Sequence, residues 1–169
     1  MAAKLSFFKI VGNDLFAHTK RRGFIAFLSG LVFEPGFHFL FGYRFVQVLY
    51  RRRFRRTAKI IWRINSMMYG CYFHLTSEIE SGLYLPHPTG IVIGEGVRIG
   101  KNVTLYQSVT IGKGKEENSY PYIANGVTIF PNSVVFWDIV IGESAIIGAG
   151  SIVKRNVLPN TVFKEGQSK

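Results

Sequence analysis

His87 is the only histidine beyond residue 74, and it stands in the segment Leu85-Pro86-His87-Pro88-Thr89-Gly90-Ile91-Val92. Imidazole titrates near neutrality, so it can take a proton from a hydroxyl and return it, which is the work of a general base. The competing reading is a loop histidine, stiffened by Pro86 and Pro88, that only faces solvent. Other reactive groups offer less. Cys71 has His74 nearby but none of the usual setting of a nucleophile, and it reads as a buried apolar residue. A lone cysteine excludes an internal disulfide and a multi-cysteine zinc site. One histidine in this half of the chain excludes a three-histidine zinc site there, so no metal is expected. Gly112-Lys113-Gly114-Lys115 lacks the Gly-x4-Gly-Lys-[Ser/Thr] spacing of a phosphate loop.

The elements that must hold His87 form a repeat. From Ile79 onward an aliphatic residue returns every six positions: Ile93, Ile99, Leu105 and Ile111 in one run, then Ile123, Ile129, Val135, Ile141, Ile147 and Val153. The next position is often glycine (Gly94, Gly100, Gly112, Gly142, Gly148), and the position four after each aliphatic is small or β-branched. Such a period means a solenoid in which each hexad is one side of a triangular coil and the aliphatic residue fills the prism. Gly, Asn or Asp at the corners would tolerate left-handed backbone angles. Coils would stack at about 4.8 Å as parallel strands. The fold class expected is mainly β, a parallel β-helix, preceded by an α-helical N-terminal region. Two breaks in the period mark where a site could be built. Eight residues instead of six separate Leu85 from Ile93, and residues 112–122 form an extruded loop before Ile123.

These blocks resemble a known family. His87 with Pro88-Thr89-Gly90-Ile91-Val92-Ile93-Gly94-Glu95 resembles the His-x-x-Gly-Ile-Val-x-Gly-Glu segment of serine O-acetyltransferases. Gln107-Ser108-Val109-Thr110-Ile111-Gly112 and Ile147-Gly148-Ala149-Gly150-Ser151-Ile152-Val153 are similar to the family's next two blocks, and Pro35-Gly36-Phe37 with Tyr43-Arg44 is weakly similar to the end of its helical region. The resemblance covers about residues 70–160. It implies a left-handed coil, a homotrimer with sites between subunits, acetyl-CoA as co-substrate, and direct attack of an acceptor hydroxyl on the thioester with His87 as base. It implies Gly112, Gly148 and Ala149 along the pantetheine arm and Lys113, Lys154 and Arg155 near the CoA phosphates. Phe130, Phe136 and Trp137 would pack in the subunit interface, the favoured reading, or carry part of the acceptor site.

Departures from the family pattern shape the expected acceptor. The carboxylate that orients the family's histidine is replaced by Tyr72, the preceding Asp by Pro86, and an Arg-His pair by Ser119-Tyr120. With the serine contacts changed, the expectation is a closer likeness to the colanic acid or capsule type of polysaccharide O-acetyltransferase. The acceptor would be a sugar hydroxyl, touched by Tyr72 and Tyr120, and the orienting acid would be Glu95, with Glu80 and Glu78 as alternatives. Serine acetylation in cysteine biosynthesis is the first rival and a non-catalytic β-helix scaffold the second.

The chain has 169 residues and a formal charge of +11, which by itself suggests nucleic acid. Residues 1–75 hold thirteen of the 21 basic residues and two of the ten acidic ones, so they carry the whole surplus, while residues 76–169 hold eight of each. Twelve of the 15 Phe also precede Gly82. The chain therefore divides into a basic, aromatic helical region, 1–75, and a β-helical region, 76–169, which the resemblance implies is the acetyltransferase domain. Without a recognition motif, the charge does not indicate nucleic acid. A helix starting at Pro35-Gly36 would carry an apolar face of Phe37, Leu40, Phe41, Phe45, Val48 and Leu49, with Tyr43, Arg44 and Gln47 at its polar side. A second, from about Phe54 to Met68, would carry Ile60, Ile61, Ile64 and Met67. Gly23–Phe33 is uncharged but shorter than the roughly 20 residues of a membrane span. Aromatic faces beside arginines fit either peripheral contact with an anionic membrane or a soluble cap packed in the trimer. The expected location is the bacterial cytoplasm, with the inner membrane as the surface for such contact.

Overall fold

A computed structural model describes residues 6–114 and 119–164. Four helices, α1 (Phe7–Thr19), α2 (Phe24–Phe33), α3 (Pro35–Arg51) and α4 (Arg55–Tyr69), precede thirteen short parallel strands. The strands form three sheets of five, four and four members, the faces of a left-handed β-helix. Most strands are two residues long, the first outward and the second inward, so one aliphatic per face enters the prism. On the first face Phe73, Ile93, Ile111, Val135 and Val153 stack inward, and all are fully buried. The small residues four positions on, such as Val97, Val103 and Ser133, are also fully buried, so each hexad supplies two core positions.

Register partners on the first face are Tyr72, Val92, Thr110, Val134 and Ile152, so successive coils take 20, 18, 24 and 18 residues. The 20-residue coil contains His87, and the 24-residue coil contains the segment 112–122 expected as a loop, of which 115–118 lie outside the described residues. Left-handed corners fall three positions after the aliphatic, as at Gly96, Asn102 and Asn132, and not at the glycines that follow it directly. Those glycines serve close approach instead: a Cβ on Gly100 would lie 2.9 Å from the Asn125 nitrogen.

The helices close the N-terminal end of the prism. α3 begins at Pro35, where a missing N–H costs nothing. Its buried face differs from the apolar stripe expected: Tyr43, Arg44 and Gln47 are buried, while Phe45 is 43% exposed. The cause is the open end of the solenoid, where the first coil has no coil beneath it and its backbone groups lack partners. Tyr43 Oη donates to the His74 carbonyl (3.0 Å) and meets Ser77 Oγ (2.8 Å), and Gln47 Nε2 donates to the Ser77 carbonyl (3.1 Å). Arg44 donates to the Ile79 and Glu80 carbonyls (2.6 and 2.7 Å) and pairs with Asp14 of α1 at 3.0 Å. Phe39, Leu40 and Tyr43 join the solenoid residues in one hydrophobic core, and α1, α2 and α3 enclose a second around Val11, Leu15 and Phe37.

Candidate active site

His87 is exposed at the corner where the third face turns into the first. Its loop is tied to the coil at both ends. The Leu85 amide donates to His18 Nε2 (3.2 Å), the Ser108 amide donates to the Thr89 carbonyl (2.9 Å), and the Tyr72 amide donates to the Ile91 carbonyl (2.8 Å). Pro86, His87, Pro88 and Thr89 form one wall of a cleft of about 480 Å³ whose other wall is Pro35 of α3 and Met68, Tyr69 and Gly70 at the end of α4. The His87 ring lies 6.5 Å from the ring of Tyr106, which stacks on Phe130 at 5.0 Å with 7° between planes. Its nitrogens meet no hydrogen-bond partner among the described residues, so they are free to act on a ligand. Directly after Tyr106, Gln107 keeps its Oε1 buried with no partner among the described residues.

Gly148 and Ala149 share the His87 edge, two coils beyond Tyr106 in the same corner column. Gly112, Lys113, Lys154 and Arg155 lie at the opposite edge of the first face, where its strands end. Lys113, Lys154 and Arg155 are exposed there, with Arg155 5.8 Å from the Phe163 ring. Gly112 faces open space: a Cβ there would meet nothing within 4 Å. Gly114 donates its amide to the Ser119 carbonyl at 3.1 Å, closing the base of the extruded loop beneath Trp137.

Four residues expected around His87, namely Glu95, Glu78, Glu80 and Tyr72, are elsewhere in this chain. Glu95 lies in the turn after Ile93, across the first face from His87, beside the corner where the Tyr120 ring covers Gly96. Eight residues of solenoid carry the chain past one whole side of the triangle, so closeness in sequence is not closeness in space. Glu78 and Glu80 are on the second face, and Glu80 is 3.8 Å from Lys101. Among the described residues no carboxylate lines the His87 cleft. Tyr72 faces a different cleft, edge-on to Trp62 at 5.2 Å, with Lys59, Arg63 and His74 around it. Phe136 and Trp137 pack on each other at 4.7 Å, and Trp137 also lies against the loop base at Gly114.

The helical region keeps its surplus charge on the surface beside exposed apolar side chains, including Phe24, Ile25, Val32 and Phe33 of α2 and Ile60, Ile64 and Met67 of α4. Among the described residues no single helix is long and apolar enough to cross a membrane. The residues missed by sequence reasoning are His18, Gly36 and Gln107. Gln107 and Gly36 carried a signal, as members of blocks shared with the family, and His18 carried none.

No family profile matches the chain. A serine acetyltransferase from Helicobacter pylori is 34% identical over 128 residues, covering 73% of this chain and 73% of the relative. One from Bacillus subtilis is 36% identical over 124 residues, covering 72% of this chain and 57% of the relative. The serine acetyltransferase of Neisseria gonorrhoeae, solved in complex with serine, superposes with a TM-score of 0.84 at 30% identity, covering 96% of this chain and 68% of that one. The soybean enzyme complexed with serine gives 0.83 at 28%, covering 97% and 70%. The chain spans about half to two thirds of the length of the first curated relatives it matches. These likenesses correct the expectation of a polysaccharide-type enzyme with a sugar acceptor, because the relatives are serine acetyltransferases and two of the solved ones hold serine. The changes at Tyr72, Pro86, Ser119 and Tyr120 are too few to outweigh a likeness that runs through helices and solenoid together. The chain belongs to the serine acetyltransferase family of hexapeptide-repeat acyltransferases.

Proposed function

We propose that this chain transfers an acetyl group from acetyl-CoA to the hydroxyl of serine, with His87 as the general base. A His87 ring nitrogen takes the proton of the serine Oγ as that oxygen attacks the thioester carbonyl carbon. When the tetrahedral intermediate collapses, the C–S bond breaks and the CoA sulfur leaves with the proton returned from His87. This yields O-acetylserine and free CoA. The observation that carries the reading is the exposed His87 ring, free of partners among the described residues, on the wall of a cleft in the coil enlarged to 20 residues.

In one chain the His87 edge and the Gly112–Lys113 edge lie on opposite sides of the first face. A site that uses both must be assembled from two copies, the His87 edge of one against the loop edge of the next, which a closed trimer provides three times. Gly112 would leave room for the pantetheine arm, and Lys113, Lys154 and Arg155 would meet the CoA phosphates. Thiol release from acetyl-CoA with L-serine tests the reading. The native protein turns over, and His87→Ala loses roughly 10²–10⁴-fold in kcat while its elution volume is unchanged. A His87→Ala protein with near-native turnover removes the base, and a native protein inert with serine removes the acceptor.

A further inference from the structure

We propose that His18 is a positioning residue for His87: as a neutral imidazole it accepts the Leu85 amide and so fixes where the His87 loop leaves the solenoid. The proposal rests on the reading of His87 as the base. In a regular coil the amide in the Leu85 position bonds the coil beneath, as the Leu105 amide bonds the Tyr84 carbonyl at 3.0 Å. Leu85 belongs to the first coil and has none beneath it. His18, near the end of α1, takes that place, with Nε2 3.2 Å from the Leu85 nitrogen.

The tautomer is set by the other nitrogen. His18 Nδ1 lies 2.8 Å from the Asp14 carbonyl oxygen, which can only accept, so Nδ1 carries the hydrogen and Nε2 the lone pair. An imidazolium would turn an N–H against the Leu85 N–H. Burial lowers the His18 pKa, the Asp14 carbonyl opposes this, and Lys20 adds to it, so the neutral form is the one held. The ring is edge-on to Tyr84 at 5.0 Å and 6.3 Å from Phe37. Gly36 of α3 makes room for it: a Cβ there would lie 2.7 Å from His18 Nε2 and overlap the Leu85 carbonyl oxygen. Two helices thus converge on one residue, Leu85, two before His87, and the intervening Pro86 has a fixed φ, so a shift at Leu85 is passed on to His87.

Steady-state turnover with serine and acetyl-CoA separates this role from simple support of the fold. His18→Phe keeps a ring against Tyr84 and Phe37 but offers no acceptor. Its kcat is expected to fall roughly tenfold with both KM values within about twofold of native, as for loss of one aligning hydrogen bond. His18→Gln restores an acceptor at similar reach and recovers most of the loss. A His18→Phe protein at native kcat, beside an inactive His87→Ala, overturns the positioning role and leaves the base reading intact. An active His87→Ala overturns the base reading instead. His18→Gln as impaired as His18→Phe also overturns the role of the acceptor. Should His18→Phe fail to fold, imidazole ¹⁵N spectra of the native protein decide: an Nε2–H tautomer or an imidazolium at pH 7 overturns the proposal.

Discussion

Replacing Asp14 by alanine should be the most destabilising single change in the junction between helices and solenoid. Asp14 and Arg44 are 1% and 4% exposed, and Arg44 Nε donates to Asp14 Oδ2 at 3.0 Å. The other carboxylate oxygen accepts the Gly82 amide at 2.7 Å, while the two remaining guanidinium nitrogens hold the Ile79 and Glu80 carbonyls. Alanine at 14 leaves a buried guanidinium without its counter-charge, which costs roughly 3–5 kcal/mol. The Gly82 amide also loses its acceptor, worth roughly 1–3 kcal/mol if nothing replaces it. Water entering the vacated space offsets part of both, so the expected loss is about 4 kcal/mol, a large share of the roughly 5–15 kcal/mol of a typical domain.

Urea unfolding of the native protein, Asp14→Ala, Arg44→Met and the double variant measures this as a coupling energy. The double variant should be at least about 1.5 kcal/mol more stable than the sum of the single losses predicts, since neither charge is then stranded. Burial raises the Asp14 pKa, while Arg44 and the amides of Gly82 and Leu83 pull it down by less. A carboxyl raised in the folded state favours folding below its ordinary range, and that contribution fades as pH rises through the raised value. Asp14→Asn, which keeps an acceptor for Gly82 while removing the counter-charge of Arg44, should cost less than Asp14→Ala. Additive single losses, or an Asp14→Ala loss below about 1 kcal/mol, would refute the reasoning.

Two further outcomes are expected. Gly112→Val should leave the melting temperature unchanged, because its side chain enters open space, yet raise the KM for acetyl-CoA roughly tenfold at constant KM for serine; an unchanged acetyl-CoA KM removes Gly112 from the co-substrate path. Tyr43 is buried and its phenol is pushed up to about 12, first by desolvation. Its contribution is complete below pH 10 and is lost as pH rises to 12, about 3 kcal/mol in all, so alkaline unfolding should flatten in Tyr43→Phe, and an identical alkaline limb in that variant would contradict the assignment.

The solenoid was legible because its period repeats one environment: each sixth residue from Ile93 to Ile111 and from Ile123 to Val153 meets the same interior and is fully buried. The break at His87 was legible for the same reason, since two extra residues cannot be absorbed in a regular wall. The surroundings of His87 were not. Spacing along a triangular coil specifies a corner, so Glu95, eight residues on, lies across a face, whereas His18, 69 residues earlier, lies beside the loop. The expectation of a polysaccharide-type enzyme rested on four substituted positions, Tyr72, Pro86, Ser119 and Tyr120, set against a likeness extending over nearly the whole chain.

The helices show why hydrophobic periodicity misplaced the buried faces. It assumes that what packs against a helix is apolar, but the end of a β-helix presents backbone carbonyls and amides. α3 answers with Tyr43, Arg44 and Gln47, and α4 with Trp62, whose Nε1 donates to the Phe73 carbonyl at 2.8 Å, leaving Ile60, Ile64 and Met67 exposed. Closing the first coil and holding the His87 loop are then one structural task. Asp14 receives Arg44 and Gly82, the Asp14 carbonyl fixes the His18 tautomer, and His18 holds Leu85. A disturbance anywhere along that line should reach His87, two residues beyond Leu85, although none of these groups lines the cleft.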